Sequence, residues 1–118
     1  MSCWIQYKVS LVNIRITRSA QQQIQQAITW KSTTLGEDGA RELIRGTLTD
    51  WSNQLQLMPD CGHQCRYLET AHHRELIKGE YRFIYELKHN EEVTHVHLLI
   101  FCHTKMDFQT LLRQVVDI

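Results

Sequence analysis

The stretch from Tyr81 to Phe101 constrains this chain more than any other, because it alternates twice. Tyr81, Phe83, Tyr85 and Leu87 are interleaved with Arg82, Ile84, Glu86 and Lys88. That period of two is the mark of a strand with one face in a core. A second alternating run follows from Val93 to Cys102. A tight turn at Asn90-Glu91 predicts that Lys88 pairs with Val93 and Arg82 with Leu99, so that residues 93 to 102 lie against residues 79 to 88. In that register Thr94, Val96, Leu98 and Ile100 share the inner face with Tyr81, Phe83, Tyr85 and Leu87. Arg82, Ile84, Glu86, His95, His97, Leu99 and Phe101 fall on the outer face. A slip of one residue would bury the charges, so the register is well specified.

The rest of the pattern supplies what that sheet packs against. Val12, Ile14 and Ile16 alternate with Asn13, Arg15 and Thr17, which predicts an earlier strand. Residues 1 to 12 read as an extension of that strand or as an appended segment, and 13 to 118 as one domain. Ser19 as N-cap, with Gln22 three residues on, predicts a helix from about residue 19 to 34, carrying Ala20, Ile24, Ala27 and Ile28 on one side. The glycines of "LGEDGA" break it. A second helix over about 38 to 58 shows a stripe of Ala40, Leu43, Ile44, Leu48, Trp51, Leu55 and Met58, and Pro59 ends it. Arg74 to Lys78 forms a short strand, with a turn at Gly79. The expected fold is α+β: an N-terminal strand, a helical hairpin, then a three-stranded antiparallel sheet.

Composition narrows the function classes. With 118 residues, 42% apolar content and one proline, the chain reads as one ordered domain. Thirteen basic residues balance thirteen acidic ones, which argues against a broad nucleic-acid surface and leaves room for a local basic site. No segment has transmembrane length or a signal-peptide pattern, so the expectation is a cytoplasmic protein that makes no membrane contact. Cys3, Cys61, Cys65 and Cys102 are then expected to be free thiols. "CGHQC", with His63, His72 and His73 near, lacks the matching second half of a zinc site, and neither metal nor cofactor is expected.

Four stretches, taken in order, resemble one known family. They are "ITRSAQQQI", a strand turning into a helix; "MPDCG", closing the second helix; "RELIKGEYRFIYEL", a strand, turn and strand with Tyr-Arg; and "VHLLIFCHTKMDF", a last strand followed by His-x-basic. From about Asn13 to Phe108 the chain is similar to the RelE/ParE toxins of bacterial type II toxin-antitoxin modules, nearer the ParE-like branch. The resemblance implies a toxin held by a cognate acidic antitoxin, in a hetero-oligomer or alongside a homodimer. RelE-like members cleave messenger RNA on the ribosome, whereas ParE-like members inhibit DNA gyrase by binding. Carried over by position, Arg82 matches the family arginine and Lys105 a second basic position. His73 and Glu75 stand where RelE-like nucleases place lysines, and no tyrosine follows Lys105. "HTKMDF" looks like a ParE-type ending.

Three functions follow as expectations. In a gyrase-directed toxin, His103, Lys105, Asp107 and Phe108 would contact the target. In a messenger endonuclease, Arg82, Lys105 and His103 would be catalytic, since cleavage needs an acid, a base and cations around the phosphorane. Glu75, Glu80 and Glu86 among the basic residues weigh against that groove. An inactive relative serving as a binding module is the third. The antitoxin is expected on Ile84, Leu99, Phe101 and Trp30, too apolar a set to leave in water. The plainer readings are that Arg82 pairs with Glu75 or Glu86 across the sheet and that His103 caps a strand end.

Overall fold

The computed structural model describes residues 11–65, 72–90 and 92–105. Five strands and one broken helix follow in the order β1 (Leu11–Ile16), α1 (Arg18–Leu57), β2 (His63–Gln64), β3 (His73–Lys78), β4 (Tyr81–Asn90) and β5 (Val93–His103). The strands form one sheet in the order β1-β5-β4-β3-β2. β1 runs parallel to β5, which needs a crossover, and α1 provides it. The remaining pairs are antiparallel. The sheet is therefore wider than the alternating runs alone indicate. β1 joins its far edge, and the two-residue β2 extends the other.

α1 is two helical arms. Gly36 (φ 77, ψ 166) is non-helical and separates them, at a positive φ that only glycine adopts without strain. Both arms feed one core: Ala20, Ile24 and Ile28 from the first, Ala40, Ile44, Trp51 and Leu55 from the second. Leu43 and Met58, expected in the buried stripe, are 41% and 62% exposed. Leu43 sits at the edge of the Ala40–Ile44 stripe, and Met58 is the C-cap, past the last helical turn. The N-cap is Thr17 rather than Ser19. β1 ends at Ile16, so Thr17 keeps an extended backbone (φ −66, ψ 162) and its hydroxyl accepts from Ala20 N at 3.2 Å. Thr17 also donates from its backbone and its hydroxyl to Leu98 O, at 3.1 and 2.8 Å, tying the helix start to β5.

The hairpin register departs from expectation in two steps of different consequence. Near the turn Asn90 pairs with Val93 and Lys88 with His95, a shift of two residues. Two residues preserve the facing, so Thr94, Val96 and Leu98 still point toward the helices with Tyr85 and Leu87. Farther on, a bulge at Leu99 separates the pairs Tyr85–Leu98 and Ile84–Ile100. One extra residue inverts every side chain beyond it. Phe101, expected outside, thus joins the helix-side core, and Ile100, expected inside, turns outward to pack with Ile84. Arg82 consequently faces Cys102, not Leu99.

Candidate functional site: an aromatic groove and a charged sheet face

The inner face of the sheet carries a chain of stacked rings that runs from the core to solvent. Trp51 stacks on Phe83 at 4.9 Å and 12°, and Phe83 meets Phe101 edge-on at 5.1 Å. Phe101 stacks on Tyr81 at 4.9 Å and 8°, and Tyr81 meets His103 edge-on at 5.5 Å. His103 in turn lies 5.9 Å from Trp30, which is 64% exposed. Such pairs add about 0.5–1.5 kcal/mol each beyond the area they bury. The ladder depends on the bulge, because only the inverted facing after Leu99 brings Phe101 and His103 onto this side.

At its outer end the ladder borders a groove of about 380 Å³ between the first arm of α1 and the end of β5, whose wall includes Trp30, Ala27, Tyr81, Phe101, His103 and Lys105. β5 runs past the end of β1, and among the described residues no strand pairs with its outer edge beyond Leu98. There Gln23 Oε1 accepts from Phe101 N at 2.8 Å and fixes the helix against the strand. His103 Nε2 lies 2.8 Å from Glu80 Oε1, and Lys31 Nζ is 3.6 Å from the same oxygen. The hydrogen bond to His103 and the charge of Lys31 hold the Glu80 carboxyl below its usual range. Burial, and then the Glu80 charge, push the Tyr81 phenol up. Among the described residues the Tyr81 hydroxyl, buried in the groove wall, has no hydrogen-bond partner.

The outer face differs in kind. Register places Arg15, His97, Glu86 and His73 in one row across four strands. Glu86 lies between the two histidines, 3.7 Å from His97 Nδ1 and 3.9 Å from His73 Nε2. Burial lowers the pKa of His73, with Glu86 opposing and His72 assisting. Arg82 forms an ion pair with Glu75, both side chains being less than a fifth exposed. Between these charges lies a small second cluster of Cys65, Ile84, Ile100 and Cys102, with Leu99 packed on it. Burial pushes the Cys102 thiol up to about 11, Arg82 opposing, which makes it a poor nucleophile. Cys61 and Cys102 are free thiols. Among the described residues no group of three or more His, Cys, Asp or Glu side chains has a metal-binding arrangement.

The structure thus sorts the residues singled out in the sequence. Trp30, Phe101, His103 and Lys105 come together at the groove, although the sequence pattern divides them between two partners. Arg82, Ile84 and Leu99 lie on the opposite face, where Ile84 is fully buried within the chain. Arg82 is therefore separated from His103 and Lys105 by the sheet. Asp107 and Phe108 lie outside the described residues, as do Cys3 and residues 1–10. Sequence reasoning missed Tyr81 and Gln23 as groove residues. The bulge that turns Phe101 and His103 toward them has no composition signal, and Gln23 is one of five glutamines between residues 21 and 26.

Comparisons with known proteins agree with this architecture. No curated protein matches the chain. Among solved structures it is similar to a chain of the chromosomal ParDE toxin-antitoxin system from P. aeruginosa, with a TM-score of 0.57 at 14% identity over 80% of this chain and 97% of that one. It is also similar to a chain of the RelBE2 toxin-antitoxin complex from Mycobacterium tuberculosis, with a TM-score of 0.56 at 20% identity over 77% and 95%. A YoeB/ParE toxin from Agrobacterium tumefaciens gives a TM-score of 0.53 at 16% identity over 77% and 97%. These likenesses show the shared α+β fold. In sequence, residues 14–108 match the ParE toxin of the type II toxin-antitoxin system parDE. Most of the chain lies within that match, and the chain belongs to the ParE toxin family of type II toxin-antitoxin systems.

Proposed function

We propose that this toxin acts by binding, with DNA gyrase as its target, and that the groove at the end of β5 is its contact surface. One observation carries the reading. The arginine on which RNA cleavage would rely is already occupied by Glu75, on a face remote from His103 and Lys105. An arginine paired with a half-buried carboxylate is part of a net-neutral pair, which offers little positive field to a phosphorane. The groove, in contrast, combines an exposed tryptophan, a histidine and a lysine around an apolar wall, the mixture that small interfaces use as anchors. A cognate antitoxin is the natural partner in the cell, since the similar structures from P. aeruginosa and M. tuberculosis come from a toxin-antitoxin system and a toxin-antitoxin complex.

A second reading rests on the row Arg15, His97, Glu86 and His73. A carboxylate between two imidazoles beside an arginine is a set of groups suited to acid-base chemistry, as a ribosome-dependent endonuclease requires. Purified protein in a gyrase supercoiling assay, beside messenger RNA on programmed ribosomes, separates the two. Inhibited supercoiling with intact transcripts is the expected result. Codon-dependent cleavage with unaffected gyrase would select the endonuclease, and growth without arrest at high expression would leave an inactive relative that serves as a binding module.

A further inference from the structure

We infer that the groove beside Trp30 is a binding site for a small aromatic acid: a flat ring system with a carboxylate at one end and an oxygen at the other. This concerns the free chain alone and holds whichever cellular target is correct. The volume of about 380 Å³ lies within the range of about 300–1,000 Å³ in which small-molecule sites occur. The lining fits as well as the size. Trp30, Tyr81 and Phe101 present ring surface and Ala27 a methyl group, so most of the wall is carbon. Trp30 meets the ring ladder edge-on, through His103, and is 64% exposed, which leaves ring surface for a flat ligand to stack on.

Two polar groups decide the chemistry of the ligand. Tyr81 is 3% exposed, and its hydroxyl has no hydrogen-bond partner among the described residues. A buried hydroxyl in that state is destabilising, and a ligand oxygen that accepts from it removes the penalty. Lys105 is the second. Glu80 engages both Lys31 and His103, whereas Lys105 makes no ion pair among the described residues. Its ammonium is therefore available to a carboxylate at the mouth of the groove. A plain hydrocarbon would fill the space and leave both groups unpaired. A nucleotide has the charge, but its sugar and base would press polar edges against a wall of carbon that cannot satisfy them. An aromatic acid with a second oxygen meets the ring wall, the hydroxyl and the lysine together.

The test uses the purified full chain, with NMR titrations read at the Trp30 indole N–H and the Phe101 and Cys102 amides. The probes are a hydroxynaphthoate with its two oxygen groups at opposite ends, plain naphthoate, naphthylmethylamine and adenosine monophosphate. Hydroxynaphthoate is expected to give saturable shifts. Naphthoate should bind about fivefold more weakly, and the amine and the nucleotide at least tenfold more weakly than hydroxynaphthoate. Trp30→Ala, read at the Phe101 amide, should weaken hydroxynaphthoate at least tenfold, and Leu43→Glu on the second arm should leave it unchanged.

Two variants assign the polar groups. Lys105→Met should bring naphthoate to within about twofold of the amine. Tyr81→Phe should erase the advantage of hydroxynaphthoate over naphthoate while leaving naphthoate itself unchanged. A hydroxyl that serves only the fold would weaken both acids alike. Equal binding of acid and amine, tighter binding of the nucleotide, shifts confined to the outer sheet face, or no saturable shift at all would overturn the inference.

Discussion

The two faces of this sheet are built from the same strands and solve opposite problems. The inner face is nearly all hydrocarbon and ring: Phe83, Tyr85, Leu87, Val96, Leu98 and Phe101 are each at most 3% exposed under the helical arms. Its stability comes from burial and ring packing, which tolerate no charge. The outer face half-buries charge instead. Glu75 pairs with Arg82, and Glu86 lies between His73 and His97, around an apolar patch of only a few residues. The first face stabilises the fold and ends in the groove beside Trp30. The second consumes its own polar groups. Charged residues on a sheet are therefore a poor guide to function until their partners are known.

The largest effect is expected in the ring ladder. Phe101→Ala should cost about 3–5 kcal/mol, since it removes the stack on Tyr81 and the edge-on contact with Phe83 and leaves a cavity. A loss below about 1 kcal/mol in urea denaturation would mean that the ladder is not part of the core. On the outer face, Glu75→Gln should cost about 2 kcal/mol, because Arg82 loses its carboxylate while it stays largely buried. The double replacement Glu75→Leu with Arg82→Met should recover most of that, as buried pairs are often no better than packed hydrocarbon. If the double variant is as unstable as the single, the two faces do not differ as described.

Smaller effects follow at the seam and in acid. A Cβ at Gly62 would meet the Tyr85 hydroxyl and come within 2.9 Å of Glu75 O, where Gly62 N now donates to that hydroxyl at 3.1 Å. Gly62→Ala should therefore cost about 1–2 kcal/mol. Calorimetry showing no change would remove the close approach from the account. For His73 burial lowers the folded pKa below 6.5, so the unfolded chain binds the proton more readily. Stability from this site is full above pH 6.5 and falls as pH drops toward the folded value. His73→Gln should flatten the stability profile in that window. Glu80 contributes in the same direction at lower pH: its carboxyl is lowered from 4.5, and its contribution is lost as pH falls through the folded value.

What could be read in the sequence follows from how periodicity behaves. A shift of two residues at the hairpin is invisible to facing, which is why Tyr85, Leu87, Val96 and Leu98 are inner residues in both the expected and the observed register. The bulge at Leu99 is a shift of one, and no glycine or turn residue announces it, so Ile100 and Phe101 exchange faces without warning. The helix break was legible because "LGEDGA" holds two glycines, and one of them, Gly36, adopts the positive φ. The groove was only half legible. Trp30, His103 and Lys105 stood out as residue types, but their meeting point depends on the bulge and on a crossover that places β1 beside β5.

The central claim is that the groove works by binding while the outer face neutralises itself. Inhibition of gyrase supercoiling, titrated with two double variants beside the wild type, tests it directly. Trp30→Ala with Lys105→Glu changes the groove, and Glu75→Leu with Arg82→Met removes the outer pair. The groove variant is expected to lose at least tenfold in potency, and the outer-face variant to inhibit as the wild type does. Full potency in the groove variant, with loss in the outer-face variant, would contradict the claim and place the activity among the charges of the outer face.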